Sequence, residues 1–138
     1  MYDKLLVAVD RSDVAERVVK AAREMALLSD GEVWFLHVRE KEFIPRGGFF
    51  EIETEQEALS VVEHAARELN DAGIKTHYEV RSAIYGRAAA AIVTAAQDYD
   101  AGIIVMGSRG HSDLVGLVLG STAHKVIHFT DRPVLVVR

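Results

Sequence analysis

The sequence predicts an α/β fold: a single doubly wound domain, with a five-stranded parallel sheet of order 3-2-1-4-5 and helices on both faces. Two observations support this prediction. Five short apolar segments, typical of strands buried on both faces, alternate with four segments of helical periodicity. The chain of 138 residues also has the usual size of one domain and contains no internal repeat. We therefore expect residues 1–138 to form one domain.

The predicted strands are near-continuous runs of aliphatic and β-branched residues. The third differs, because it alternates apolar and polar residues as a strand with one wetter face does. Right-handed connections between parallel strands place the intervening helices on both faces of the sheet. The five strands are predicted at residues 4–9, 33–38, 75–80, 101–107 and 133–138.

The predicted helices carry apolar residues every three or four positions. Ser12 is the expected N-cap of the first helix, since its hydroxyl can accept from a backbone N–H of the first turn. Gly73 is the expected C-terminal cap of the second. Pro133 follows the fourth and forces an extended chain. The four helices are predicted near residues 14–28, 58–69, 86–97 and 120–129.

A connection of sixteen residues, 39–54, separates the second strand from the second helix. This length is unusual in a compact domain and is typical of lids or contact loops. Two interpretations stay open: its large apolar side chains fold back onto the domain, or the segment forms a ligand lid or a subunit contact. Those side chains are Phe43, Ile44, Phe49, Phe50 and Ile52.

Composition argues against several functional classes. With 21 acidic and 16 basic residues the formal charge is −5, so the chain is poorly suited to nucleic acid. It has no cysteine, which excludes disulfides and thiolate metal ligands. No apolar run approaches the roughly 18 residues of a membrane span, and no signal-peptide pattern precedes the first strand. We expect a cytoplasmic protein that contacts neither nucleic acid nor membrane.

The segment VMGSRGHSDLVGLVLGST, residues 105–122, is rich in glycine and follows the fourth predicted strand. Ligands of open α/β sheets bind beyond the carboxyl ends of the strands, where the strand order reverses. In the predicted order, Asp10 after strand one and Gly107 after strand four both lie at that reversal. Glycine content alone leaves a simple turn and a phosphate site as alternatives.

The spacing Gly107-x₂-Gly110-x₉-Gly120-Ser121 suits an anion site built from two parts. Gly107 and Gly110 would turn the chain with positive φ and present backbone N–H groups. Gly120, Ser121 and Thr122 would open the fourth helix, whose first N–H groups and dipole favour an anion. The nine residues between them would arch over a polyphosphate. The P-loop, the dinucleotide fingerprint and the nucleophile elbow are absent.

With these motifs the chain resembles the universal stress protein family, in its ATP-binding branch. The resemblance rests on LLVAVDRSDVAERVVKAA, FLHV, GIIVMGSRG, GSTAHKVI and RPVLVVR, and it covers the chain except for 39–54. It implies a regulatory or stress-response protein that holds ATP between the ends of strands one and four. It also implies a divalent metal, Mg²⁺ or Mn²⁺, on the phosphate oxygens, and a homodimer.

The resemblance also implies which residues meet each part of the nucleotide. These are Ala8, Val9 and Asp10 at the adenine and ribose, Val38 at the adenine, Met106, Gly107, Arg109 and Gly110 at the ribose–phosphate turn, and Gly120, Ser121 and Thr122 at the phosphates.

Several of these positions have alternative interpretations. Asp10 either contacts ribose or caps the first helix. Arg11 stands where a small residue is common, and it either narrows the mouth of the site or reaches a phosphate. Arg109 and Arg87 either neutralise phosphate or are solvated loop residues. Thr122 replaces a usual valine and keeps the N–H that a phosphate needs.

No catalytic residue is assigned, because no general base stands out beside the phosphate loop. Any ATP hydrolysis is expected to be slow or dependent on a partner. The alternatives are a nucleotide hydrolase or adenylate-using enzyme, and an interaction module that binds no nucleotide. His124 and His128 share a helix face without a third ligand, so no metal site made by protein side chains alone is expected. The apolar edge strand 133–138, with 39–54, is the expected homodimer contact.

Overall fold

Strands and helices alternate along the chain as the apolar pattern predicts. The computed structural model describes residues 2–110 and 118–138. All four predicted helices and all five predicted strands are present in these ranges, with ends shifted by a few residues. In chain order the elements are β1 (Lys4–Ala8), α1 (Ala15–Ser29), β2 (Glu32–Ile44), β3 (Gly48–Glu51), α2 (Glu55–Asp71), β4 (Thr76–Ile84), α3 (Ala88–Asp98), β5 (Ile103–Gly107), α4 (Ser121–Phe129) and β6 (Val134–Val137).

The parallel strands lie in the order β4-β2-β1-β5-β6. These are the predicted strands in the predicted order 3-2-1-4-5, so the fold class is confirmed. In the centre of the sheet, Val7 of β1 lies opposite Phe35 of β2 and Val105 of β5. The carboxyl ends of β1 and β5 are therefore neighbours at the point where the strand order reverses.

The segment 39–54 is not the loop that the sequence predicts. β2 continues to Ile44, and β3 returns antiparallel beside it with Phe43 opposite Phe49. Gly48, at the turn, has a φ of 77°, a conformation that glycine adopts at little cost. The hairpin adds a sixth strand to the sheet. Phe43, Ile44 and Phe49 are exposed, so these side chains do not fold back onto the domain.

Helices pack on both faces of the sheet because neighbouring strand residues point to opposite sides. Leu5 faces α1 and α2, together with Phe35 and Leu69. Leu6 faces α3 and α4, together with Ile104. Each side chain named here is fully buried. The two apolar layers hold the strand ends that frame the functional site.

The helix ends differ in part from the predictions. Val14, and not Ser12, is the N-cap of α1, and no side chain caps that end. Thr54 caps α2 in a reciprocal capping box with Glu57. Gly73 follows α2 with a φ of 79°, as the C-terminal cap prediction requires. In the described ranges, no helix has the length and apolar character needed to cross a membrane.

Candidate functional site

A cleft opens at the carboxyl ends of β1 and β5. It holds about 1110 Å³ when its solvent-open mouth is counted. Ten of the eleven predicted site residues line it, and Gly120 is buried next to two of them. The ten are Ala8, Val9, Asp10, Val38, Met106, Gly107, Arg109, Gly110, Ser121 and Thr122.

The amino end of α4 forms one wall of the cleft. Gly120 is its N-cap, with φ −71° and ψ 164°, and its N–H donates to the carbonyl of Ser108. This bond joins the helix start to the turn after β5. Ser121 and Thr122 belong to the first turn, which carries no acidic residue. The first N–H groups of a helix have no partner within the helix, so this wall can bind an anion.

Gly107 ends β5, and its lack of a side chain is needed for packing. A Cβ there would lie 2.6 Å from Cγ2 of Val14 at the start of α1. The predicted positive φ at Gly107 is wrong. The described glycines that have a positive φ are Gly48, Gly73 and Gly86. Of the predicted arch, residues 111–119, positions 111–117 lie outside the described residues.

The loop between β1 and α1 carries an unsatisfied hydroxyl into the cleft. Oδ1 of Asp10 accepts from the N–H of Ser12 at 2.8 Å, so this carboxylate shapes the loop and does not serve as the N-cap. Oγ of Ser12 is the one buried side-chain polar atom in the described part of the chain without a hydrogen-bond partner. Ser12 lines the cleft. Because a buried hydroxyl without a partner is costly, a polar ligand here would stabilise it.

The arginines near the cleft are held by carboxylates. Nη2 of Arg109 lies 3.0 Å from Oδ2 of Asp13, and Arg109 lines the cleft. Arg11 lies 3.4 Å from Glu53 and 3.7 Å from Glu57 at the mouth of the cleft. Arg87 is different: it is the N-cap of α3 and lines a separate groove.

His37 and Glu53 form a buried pair that the sequence did not indicate. His37 is 5% exposed and Glu53 7% exposed. Nδ1 of His37 lies 2.8 Å from the carbonyl oxygen of Val9, and its Nε2 contacts Oε1 of Glu53. Both residues line the cleft. The available signal was a histidine within the apolar run of β2, but its partner lies sixteen positions away.

Arg39 fixes the hairpin to the start of α2. It is 3% exposed, and its Nε donates to the carbonyl of Glu53 at 3.0 Å. Its guanidinium also meets the carboxylates of Glu51, at 2.5 Å, and Glu55, at 3.6 Å. A buried guanidinium with several acceptors gives strong, oriented hydrogen bonds. The backbone of Glu53 is thus held in place beside the cleft.

The residues with shifted pKa values described here, Tyr99 and Glu32, do not line the cleft. Burial raises the pKa of Tyr99 to about 12, helped by a hydrogen bond with Glu79. For Glu32, burial alone would raise the pKa, but hydrogen bonds and charges from His77 and Lys75 lower it below its ordinary value. Across residues 2–110 and 118–138, no three His, Cys, Asp or Glu side chains are grouped to bind a metal.

Comparison with known proteins identifies the family. The family model for the universal stress protein family matches residues 1–138. The chain belongs to the universal stress protein family. It is 32% identical to universal stress protein YxiE of Bacillus subtilis over the whole of both chains.

Solved structures of other universal stress proteins share the fold. One from Archaeoglobus fulgidus is 31% identical and superimposes with a TM-score of 0.79, with full coverage of both chains. The structure of the universal stress protein from the same organism in complex with dAMP is 29% identical, with a TM-score of 0.75. That match covers 99% of this chain and 98% of the other. Adenine nucleotide binding thus occurs within this family.

Proposed function

We propose that this universal stress protein binds ATP in the cleft between the carboxyl ends of β1 and β5, and that binding regulates a stress response. The observation that carries the proposal is the contact between Gly120 and Ser108, which sets the amino end of α4 beside the glycine turn after β5. A relative solved with dAMP supports the choice of an adenine nucleotide.

The phosphate end fits a nucleotide with several phosphates. The N–H groups of the first turn of α4 and the hydroxyls of Ser121 and Thr122 would donate to phosphate oxygens. Gly107 and Gly110 let the backbone approach the ligand closely. Arg109, which lines the cleft, would add positive charge. Mg²⁺ or Mn²⁺ bound to the phosphates would neutralise further charge without protein ligands.

The part of the cleft beside Val38, the proposed adenine end, offers backbone groups that can pair with a base. Along β2, the carbonyl of Leu36 accepts from Val9 on the β1 side, and that of Lys41 accepts from Tyr85 on the β4 side. Backbone groups alternate between the two sides of a strand. The N–H and C=O of Val38 therefore point to the β1 side, where β1 has already ended. Ala8 and Asp10, at the end of β1, would meet the adenine and the ribose.

Hydrolysis of bound ATP is proposed to be slow. Among residues 2–110 and 118–138, three carboxylates line the cleft, and each already accepts a hydrogen bond or faces a base within the protein. Asp10 accepts from Ser12, Glu40 accepts from the N–H of Gly86 at 2.7 Å, and Glu53 faces His37. Because these partners compete for the carboxylate lone pairs, none of the three is a fully free general base for the attacking water. Turnover of several per second that Ser121→Ala abolishes would contradict this proposal.

We also propose a cytoplasmic homodimer joined through β6. This strand lies at the end of the strand order, so one of its edges is open in the described sheet. An unpaired strand edge invites a second strand, here that of another copy. The exposed Phe43, Ile44 and Phe49 of the hairpin would extend that contact.

The nucleotide proposal is tested by mass spectrometry of the small molecules released when freshly purified protein is denatured. ATP, or ADP formed from it, is expected in amounts close to those of the protein. Protein carrying Ser121→Asp, purified in the same way, serves as the control and should release far less. Equal nucleotide from both proteins would show that the recovered nucleotide does not come from the cleft.

A further inference from the structure

We propose that Glu53 makes the cleft selective for a purine that carries an amino group at position 6. This inference rests on the proposed function, because it assigns a residue to the adenine end of that site. It concerns a side chain beyond the eleven site residues predicted from the sequence.

The adenine end is a gap along one edge of β2. β1 pairs with that edge as far as Ala8, opposite Leu36. β4 occupies the other edge of β2 as far as Lys41. β3 therefore pairs with the same edge as β1, with Glu51 opposite Lys41. Between these two strands, Val38 borders open space, and its backbone groups point into it. A flat base can enter this gap edge-on.

Glu53 forms the far wall of the gap. It follows β3, and Arg39 holds its backbone carbonyl at 3.0 Å. His37 spans the gap from Val9 on the near wall to Oε1 of Glu53 on the far wall. Both backbone and side chain of Glu53 are therefore fixed before a ligand arrives. A preorganised acceptor costs little further entropy on binding.

The hydrogen-bond pattern leaves Oε2 of Glu53 as an acceptor. The carbonyl of Val9 can only accept, so Nδ1 of His37 must donate to it. The Nε2–Oε1 contact then contains one proton, carried either by His37 or by Glu53. In both arrangements Oε2 carries no hydrogen. Arg11 Nε lies 3.4 Å from Oε2, beyond an ordinary N–H···O bond, so the oxygen keeps capacity for a ligand donor.

This acceptor distinguishes bases by the group at position 6. The amino group of adenine would donate to Oε2, whereas the carbonyl oxygen of hypoxanthine would face a second acceptor. When His37 carries the shared proton, Glu53 is ionised, and a hydrogen bond to it is worth about 1.5–3 kcal/mol, which corresponds to a discrimination of at least about 10-fold. ATP and ITP differ at position 6 and at the adjacent N1, where the Val38 backbone would also pair. The contact with Glu53 is therefore reported by the change in their affinity ratio when Glu53 is replaced.

The test is calorimetric titration of nucleotide-free protein with ATP and with ITP, both with Mg²⁺. The variants are Glu53→Leu, which removes the acceptor at similar size, and Glu57→Gln. Glu57 is the other carboxylate beside Arg11 and does not line the cleft. Glutamine there can still complete the capping box. It therefore controls for the loss of charge beside Arg11.

We expect the wild type and Glu57→Gln to bind ATP at least about 10-fold more tightly than ITP. Glu53→Leu should lower the ratio of ATP to ITP affinity at least about 10-fold from the wild-type value, leaving only the preference that pairing with the Val38 backbone gives. A ratio in Glu53→Leu equal to that of the wild type would overturn the inference. If Glu53→Leu does not fold, Glu53→Gln should reduce the ratio without abolishing it. Equal affinity of the wild type for ATP and ITP would overturn the inference and leave the proposed function intact. Binding of neither nucleotide would overturn both.

Discussion

His37 connects two walls of the cleft, with Nδ1 2.8 Å from the carbonyl oxygen of Val9 and Nε2 against the carboxylate of Glu53. In His37→Ala, the Val9 carbonyl and Glu53 lose this buried partner. We expect the free energy of unfolding to fall by about 1–3 kcal/mol, the typical cost of buried polar groups left unsatisfied. Urea unfolding measures this. His64→Ala, at an exposed position on α2, is the control and should change stability little. Equal effects of the two substitutions would contradict the bridging role.

Ser121→Asp should act in opposite directions on stability and on binding. A negative charge in the first turn of α4 interacts favourably with the helix dipole, so the ligand-free protein should gain about 0.3–1 kcal/mol. The same charge repels phosphate, so ATP affinity should fall by more than about 10-fold. Ser121→Asn, similar in size and uncharged, should keep most of the affinity. If Ser121→Asp binds ATP as the wild type does, phosphates do not lie at this helix end.

Val136→Pro should dissociate the proposed homodimer without disturbing the sheet. The carbonyl of Pro133 accepts from the N–H of Ile104 in β5, and that of Val137 accepts from the N–H of Ser108, directly after β5. By the alternation of backbone groups, the N–H of Val136 points to the open edge. Proline removes that donor and leaves the bonds to β5 in place. Light scattering at micromolar concentration should show a dimer for the wild type and a monomer for the variant. A dimeric variant would exclude the β6 edge as the interface.

Tyr99 should titrate at unusually high pH. Burial, with a hydrogen bond to Glu79, raises its pKa from 10.0 to about 12, which favours the neutral phenol in the folded state. Its contribution to stability is therefore complete below pH 10 and is lost as the pH rises through about 12. Ultraviolet absorbance of tyrosinate in the folded protein should show one of the four tyrosines ionising late. Tyr99→Phe should remove that late step. Ionisation of all four tyrosines together near 10 would contradict the burial argument.

The strand order was predictable because each parallel strand has its own apolar run and each crossover has one hand. The hairpin was not, because charged residues between Val38 and Phe43 interrupt the apolar run of β2. Aromatic residues on both sides of Pro45–Gly48 were the available signal for a turn between paired strands. That signal competes with the general expectation that a long, mixed segment is a loop.

The cleft lining was predictable where it depends on local backbone, as at Gly107 and Gly120. The far wall was not, because its contacts join residues distant in sequence. Glu53 follows β3, a strand that the sequence did not predict. His37 is not part of a spacing pattern typical of metal ligands. Ser12 was expected as a helix cap from its residue type, yet its hydroxyl is buried and lines the cleft. Tertiary position, and not local propensity, sets the role of these side chains.

The central claim is that the folded protein binds ATP in the cleft between β1 and β5. Thermal unfolding of nucleotide-free protein, measured at increasing ATP with Mg²⁺, tests it most directly. Since a ligand that binds only the folded state stabilises it by mass action, Tm should rise steadily with ATP concentration. Ser121→Asp should show little or no rise. An unchanged Tm for the wild type at millimolar ATP would contradict the claim.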